Sequence, residues 1–108
     1  VSGDAASGMR RRIRRWRLNL RSGDSLADLA DQINPTVRGW INFYGRFYRS
    51  ELISLLENIN EHLVRWAMRK FKRLRGRPRR ARRLLAVIAA REPTLFAHWG
   101  CGARPLAG

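Results

Sequence analysis

The segment that decides the fold is NPTVRGWINFYGRFYRS, residues 34–50, in which five aromatic side chains alternate with three arginines and two glycines. Asn34 suits the N-cap of a helix and Pro35 suits its first turn, so the segment predicts a helix from Pro35 to about Phe47. Its apolar positions follow the i, i+3, i+4, i+7 spacing of a buried face. They are Val37, Trp40, Ile41, Tyr44 and either Phe47 or Tyr48. Most of these aromatic residues are therefore expected in a core.

The other side of this predicted helix is polar and cationic. Four positions lie within an arc of about 80°, because they are separated by four, four and three residues at about 100° per residue. They are Arg38, Asn42, Arg46 and Arg49. Gly39 and Gly45 each cost about 1 kcal/mol relative to alanine inside a helix. They suit close approach by another helix or by an RNA backbone, although tolerance near a helix end explains Gly45 equally well.

Three more helices are predicted around this segment. A short one begins after Ser25, which forms a capping-box pattern with Asp28, and ends near Asn34. A long one runs from Glu51 to about Leu74 and carries a continuous apolar stripe. The members of that stripe are Leu52, Leu55, Leu56, Ile59, Leu63, Trp66, Ala67 and Leu74. Opposite this stripe, a basic ridge is expected, formed by Arg65, Arg69, Lys72 and Arg73.

The last predicted helix follows a turn at RGRPRR, residues 75–80, and ends before Pro93. Its inward positions are Ala81, Leu84, Leu85 and Ile88, and its outward positions are Arg79, Arg80 and Arg83. The tail TLFAHWG, residues 94–100, is expected to fold back as a lid with Leu95, Phe96 and Trp99. His98 between these apolar groups is expected to be structural.

The charge of the chain favours a polyanionic partner. Lys and Arg number 23 against 8 Asp and Glu, which gives a formal net charge of +15. Arginine outnumbers lysine 21 to 2, and its planar guanidinium suits bidentate phosphate contact and stacking. Residues 65–83 hold eleven of these cations and no acid, and RRRIRRWR at residues 10–17 holds six arginines. Nucleic acid is therefore the expected partner.

Several other classes of protein are excluded. The longest apolar run, LLAVIAA at residues 84–90, has seven residues, whereas a membrane span needs about 20. The single cysteine, Cys101, cannot form an internal disulfide, and it shares no metal-ligand spacing with His62 or His98. The sequence predicts no metal site, no cofactor and no membrane partner. The expected location is the cytoplasm.

A chain of 108 residues can build one core. The predicted fold is all-α, a small bundle of about four helices with a basic outer face. Residues 1–9 are expected to be a flexible linker or a cut end, and residues 10–24 a basic arm or first helix. Residues 25–99 form the predicted helical domain, and residues 100–108 a tail.

A family resemblance extends these expectations. The run from LADLADQINPTVRGW to LVRWAMRKF, residues 26–71, and PTLFAHW at residues 93–99 resemble the maturase-specific domain, or domain X, of bacterial group II intron reverse transcriptases. The most specific part is INPTVRGWINFY, residues 33–44. The resemblance spans roughly residues 10–99 and implies a thumb-like helical domain that follows a polymerase palm. In that family, Arg38, Gly39, Trp40, Asn42, Phe43 and Tyr44 correspond to the signature.

The resemblance also implies a function. Members of the family bind their own intron RNA, help it to fold into its splicing-active form and assist intron mobility. Because the chain has neither a polymerase metal site nor a Cys-rich endonuclease, no catalysis is expected from it. Expected partners are group II intron RNA and the polymerase domain of the same parent protein. The alternatives are a thumb that grips a primer–template duplex, a contact with target DNA, or an unrelated basic helical nucleic-acid-binding protein.

The candidate RNA contacts are the outward cations and one amide of these elements. They are Arg12, Arg15, Arg38, Asn42, Arg46, Arg49, Arg65, Arg69, Lys72, Arg73, Arg75, Arg77, Arg79 and Arg80. The basic block from Arg65 to Arg83 corresponds by resemblance to the RNA-facing surface of the family.

Overall fold

The computed structural model describes residues 3–46 and 48–105, and every regular element in that part of the chain is helical. The predicted all-α bundle is confirmed. The α-helices are α1 (Gly3–Arg15), α2 (Leu26–Tyr44), α3 (Arg49–Lys70), α4 (Pro78–Arg91) and α5 (Ala97–Cys101). Short 3-10 turns lie at Leu18–Leu20 and Lys72–Leu74.

Helix α3 is the centre of the bundle. Its 22 residues span about 33 Å, and each of the other four α-helices contacts it. All eight apolar positions predicted for its stripe are buried. The stripe repeats every three or four residues, so one side of α3 faces the neighbouring helices along its whole length.

Helix α3 ends four residues earlier than the predicted boundary at Leu74. Phe71 leaves the helix with φ −108° and ψ 118°, and its ring packs edge-on against Trp66 at a centroid distance of 6.1 Å. The following 3-10 turn carries Leu74 into the core. The chain then reverses at Gly76, whose φ of 72° lies in the left-handed region that glycine adopts without strain. The early end makes room for this reversal before Pro78.

The two helices predicted to meet at Asn34 and Pro35 are one continuous helix, α2. The predicted start is confirmed, because Ser25 and Asp28 form a capping box: the Asp28 N–H donates to Ser25 Oγ at 3.2 Å, and the Ser25 N–H donates to Asp28 Oδ2 at 3.0 Å. Pro35 removes one backbone donor from the helix interior. The helix continues because Ile33 and Val37, on either side, are both buried on the same stripe.

Residues 3–9, expected to be a linker or a cut end, begin α1 instead. Met9 and Ile13 of α1 are buried in the core, which explains why this segment is ordered as a helix. At its end, Trp16 stacks on Trp40 of α2 with a centroid distance of 5.7 Å. Residues 1, 2, 47 and 106–108 lie outside the described part, and so does the predicted helix end at Phe47.

The fourth predicted helix is confirmed as α4, with Ala81 and Leu85 buried and Leu84 and Ile88 partly buried. The residues predicted to form a lid are part of the core itself: Phe96 and Trp99 have no exposed surface. Burial continues past the predicted domain end at residue 99, since Ala103 is also fully buried. Within the described residues, no helix combines the length and the apolar character that crossing a bilayer requires.

Candidate nucleic-acid interface

The fourteen residues predicted to contact RNA are all exposed. Among the described residues, only Arg49 of this set donates a side-chain hydrogen bond, from Nη2 to the Cys101 carbonyl at 2.8 Å. The fold therefore makes little use of these polar groups, and their donors face solvent.

Acidic side chains do not neutralise the cations. Among residues 3–46 and 48–105 there is a single ion pair, Arg82 Nη2 to Glu61 Oε2 at 2.9 Å. The described residues contain all 23 Lys and Arg of the chain and all 8 acids. No other Lys or Arg of the described residues forms an ion pair, and the net charge of +15 makes the field around the protein positive.

The predicted face of Arg38, Asn42, Arg46 and Arg49 is not on one helix. Helix α2 ends at Tyr44, so Arg46 lies in the turn that follows and Arg49 is the first residue of α3. Arg38, Asn42 and Arg49 nevertheless line one recess of about 430 Å³, which also includes Thr94. The structure thus brings three of the four together across two helices and the C-terminal residues.

Three of the four residues of the ridge predicted on α3 line two separate recesses, and Lys72 lines neither. Arg65 and Arg69 line one with Arg75, and Arg73 lines another with Arg80. The division follows from the end of α3 at Lys70, because Lys72 and Arg73 then belong to the 3-10 turn. A further recess, lined by Arg12 and Arg15 together with Trp40 and Tyr44, lies between α1 and α2.

Lys70, which was not among the predicted RNA contacts, forms hydrogen bonds from α3 to the connection between α1 and α2. Lys70 Nζ donates to the Ser22 carbonyl at 2.9 Å and to the Asp24 carbonyl at 3.3 Å, and it lies 5.5 Å from the centre of the Trp66 ring. Trp66 Nε1 donates to the Arg21 carbonyl at 2.9 Å. These bonds fix the connection between α1 and α2 against α3 and so set where the arginines of α1 lie.

Asn34 joins α2 to the C-terminal residues rather than capping a helix. Its Nδ2 donates to the Leu95 carbonyl at 2.9 Å, and its Oδ1 accepts from the Ala97 N–H at 2.9 Å. The side chain therefore satisfies one acceptor and one donor of a segment that packs on α2.

Asn60 makes the corresponding connection from α3. Its Nδ2 donates to the Ala103 carbonyl at 2.9 Å, and its Oδ1 accepts from Trp99 Nε1 at 2.9 Å and from His98 Nε2 at 2.8 Å. Because an amide oxygen can only accept, His98 carries its proton on Nε2. Burial lowers the pKa of His98 to about 3, so the ring is neutral at neutral pH.

Both asparagines carried a signal in the sequence that the predictions did not use. Asn34 lies four residues after Ala30 and three before Val37, and Asn60 has the same relation to Leu56 and Leu63. Those neighbours are all buried. An amide in the middle of an apolar stripe must find buried partners, which here come from residues 95–103.

Comparison with known proteins identifies the fold. The family model for the group II intron maturase-specific domain matches residues 6–85. The chain belongs to this family. The match includes α1 from residue 6 onward, all of α2 and α3 and the first half of α4, and therefore the whole INPTVRGWINFY segment. Neither the curated proteins nor the solved structures contain a significant match to the chain. The maturase-specific domain is a non-catalytic region of group II intron maturases.

Proposed function

We propose that this maturase-specific domain binds group II intron RNA through its exposed arginines and so promotes folding of the intron into its splicing-active form. The same contacts would support intron mobility, with the polymerase domain of the parent protein as a further partner. The observation that carries the proposal is the set of exposed cations, which have a single ion pair in the described part of the chain.

The chemistry of splicing is consistent with such a role. The intron RNA carries out the reaction, so a helper protein needs to neutralise phosphates and brace the RNA fold, with no nucleophile of its own. Arginine suits this task because its guanidinium binds phosphate through two parallel hydrogen bonds. The deep groove of an RNA helix is inaccessible to side chains, so specificity would come from shape, 2′-hydroxyl groups and unpaired bases.

The test is a salt-titrated binding comparison of three ligands: a folded group II intron RNA, a scrambled RNA of equal length and a primer–template duplex. A footprint of about 6–10 phosphates would lose roughly 10³–10⁵ in affinity between 50 and 200 mM salt. We expect the intron RNA to retain the highest affinity at the upper salt concentration.

A double variant, Arg38→Gln with Arg46→Gln, tests the residues of α2 and its following turn. Arg49 is left unchanged because it also holds the Cys101 carbonyl. We expect weaker binding and a shallower salt dependence with an unaltered melting temperature. Equal affinities for all three ligands would contradict the proposed preference for introns, and a preference for the duplex would favour the thumb of a polymerase instead.

A further inference from the structure

Phe43 lies outside the core although it is a large apolar side chain. It is 75% exposed, whereas the other exposed large apolar residues, Leu20, Tyr48 and Val87, are between 45% and 49% exposed. Within the chain, its ring contacts that of Tyr44, edge-on at a centroid distance of 4.8 Å. Packing among the described residues, 3–46 and 48–105, therefore does not explain an aromatic residue at position 43.

Gly39, one turn earlier on α2, is equally unexplained by packing. A Cβ placed on Gly39 would meet no atom within 4 Å, so close approach by another helix of the described chain does not account for it. Glycine inside a helix is nonetheless less favourable than alanine. Helical side chains lean toward the N-terminus, so Phe43 extends over the turn that contains Gly39. Gly39 therefore leaves the helix backbone without a side chain on the side toward which Phe43 leans.

The surroundings of this surface are cationic. The chain has no acidic residue from Gln32 to Ser50, and Arg38 and Arg46 in this segment are both exposed. Gly45 keeps helical angles, φ −63° and ψ −23°, so Arg46 follows Phe43 by about one turn. Along the helix axis Phe43 therefore lies between Arg38 and Arg46, an arrangement that suits a nucleobase with one phosphate toward each end of the helix. An apolar protein partner would gain nothing from these charges.

We propose that Phe43 and Gly39 form a stacking site for one unpaired base of RNA. The ring of Phe43 stacks on the base, the missing side chain at Gly39 lets the nucleotide approach the helix backbone, and Arg38 and Arg46 bind the flanking phosphates. The proposal rests on the proposed RNA-binding function and names the form of RNA that this part of α2 takes, a single-stranded segment.

The probe is a single-stranded oligoribonucleotide of non-intron sequence that carries one 2-aminopurine, with its fully paired duplex as the control ligand. Stacking on an aromatic side chain quenches 2-aminopurine fluorescence. We expect the wild-type domain to quench the single strand. In the duplex the 2-aminopurine is already stacked and quenched, so the duplex is compared by affinity, which Phe43→Ala should leave unchanged. Phe43→Ala should bind the single strand about 5- to 150-fold more weakly and lose the quenching, since the loss of one base stack has that magnitude.

Two variants separate stacking from general effects. Phe43→Trp keeps an aromatic face and should retain the quenching, whereas Leu20→Ala, which shortens an exposed apolar side chain outside α2, should leave binding unchanged. Gly39→Ala is expected to raise the melting temperature by about 4–8 °C through better helix propensity. It should weaken binding at the same time, because the added methyl group occupies the space of the nucleotide.

Unchanged affinity and quenching in Phe43→Ala would overturn the proposal. A more stable Gly39→Ala variant with wild-type affinity would remove Gly39 from the site. Because the oligonucleotide has no intron sequence, these outcomes are independent of the intron preference measured above. Failure of that preference alone would leave the stacking site intact.

Discussion

The junction between α3 and residues 93–105 differs from the exterior of residues 65–83 in how it uses polar groups. At the junction, Asn60 and His98 are buried and are hydrogen-bonded to each other. On the exterior, the side chains of exposed arginines such as Arg65 and Arg69 donate no hydrogen bond to another described residue. A buried asparagine amide replaces its hydrogen bonds to water with bonds to protein groups. Burying a charged arginine would cost far more hydration free energy. The fold therefore depends on the first region, and the second remains available to a ligand.

The largest loss of stability is expected when Asn60 at the junction is replaced by alanine. Asn60→Ala removes the partners of Trp99 Nε1, His98 Nε2 and the Ala103 carbonyl, all of them inside the protein. We expect the free energy of unfolding in urea to fall by about 3 kcal/mol or more, because each orphaned buried group costs roughly 1–3 kcal/mol. Asn58→Ala, the same change at a half-buried position of α3, should cost well under half as much. Equal losses would show that the junction has no special role.

Acidification should weaken the same junction. The pKa of His98 is about 3 in the folded domain, against about 6.5 in an unfolded chain, because burial disfavours the charged ring. The unfolded state therefore binds more protons between these values, and stability falls as the pH drops from about 6.5 toward 3. His62 acts in the same direction, since burial and the nearby Arg65 and Arg14 lower its pKa.

We expect a loss of about 2–3 kcal/mol between pH 7 and pH 4.5, measured by urea unfolding at each pH. His98→Gln, which cannot take up a proton, should be less stable at pH 7 but lose less stability on acidification. A variant with the same pH dependence as the wild type would assign the effect to other groups.

The smallest change in stability is expected on the exterior. Arg65→Gln with Arg69→Gln should alter the free energy of unfolding by less than about 0.5 kcal/mol, since both side chains are exposed. The slope of log binding constant against log salt concentration for RNA should become shallower by about 0.7–0.9 per lost phosphate contact. Lys70→Gln provides the contrast, because this cation holds the Ser22 and Asp24 carbonyls and its loss should cost about 1–2 kcal/mol. If the Arg65→Gln, Arg69→Gln variant were clearly destabilised, the exterior would contribute to the stability of the fold as the junction does.

Local signals in the sequence predicted the elements well. The capping box of Ser25 and Asp28 involves residues three apart, and the stripe of α3 needs only helical periodicity, so both could be found without knowledge of the fold. The break predicted at Asn34 and Pro35 was wrong because the partners of Asn34 are residues 95 and 97, more than 60 positions later. The apolar stripe continued in phase through Pro35, and that periodic signal was the better guide.

For the candidate site, the sequence predicted which arginines are exposed but not which of them line the same recess. Arginines opposite an apolar stripe lie outside the core wherever the helix ends. Which of them share a recess depends on the turns at residues 45–48 and 71–77, whose geometry no periodic pattern encodes. The turn after Lys70 separates the residues of the α3 ridge into two recesses. The turn after Tyr44 places Arg38 and Arg49 in one recess.

The bond from Asn60 to Ala103 also orders events during synthesis. Its two ends are 43 residues apart, and Phe96 and Trp99 are made shortly before the second end. At about 5–20 residues per second, the ribosome needs roughly 2–9 s to extend the chain from Asn60 to Ala103. During that interval the apolar surface of α3 on which Trp99 later packs is exposed. The arginines of α1 and α2 have already been made by then. A nascent chain of this domain therefore exposes part of its positive charge before it can close its core.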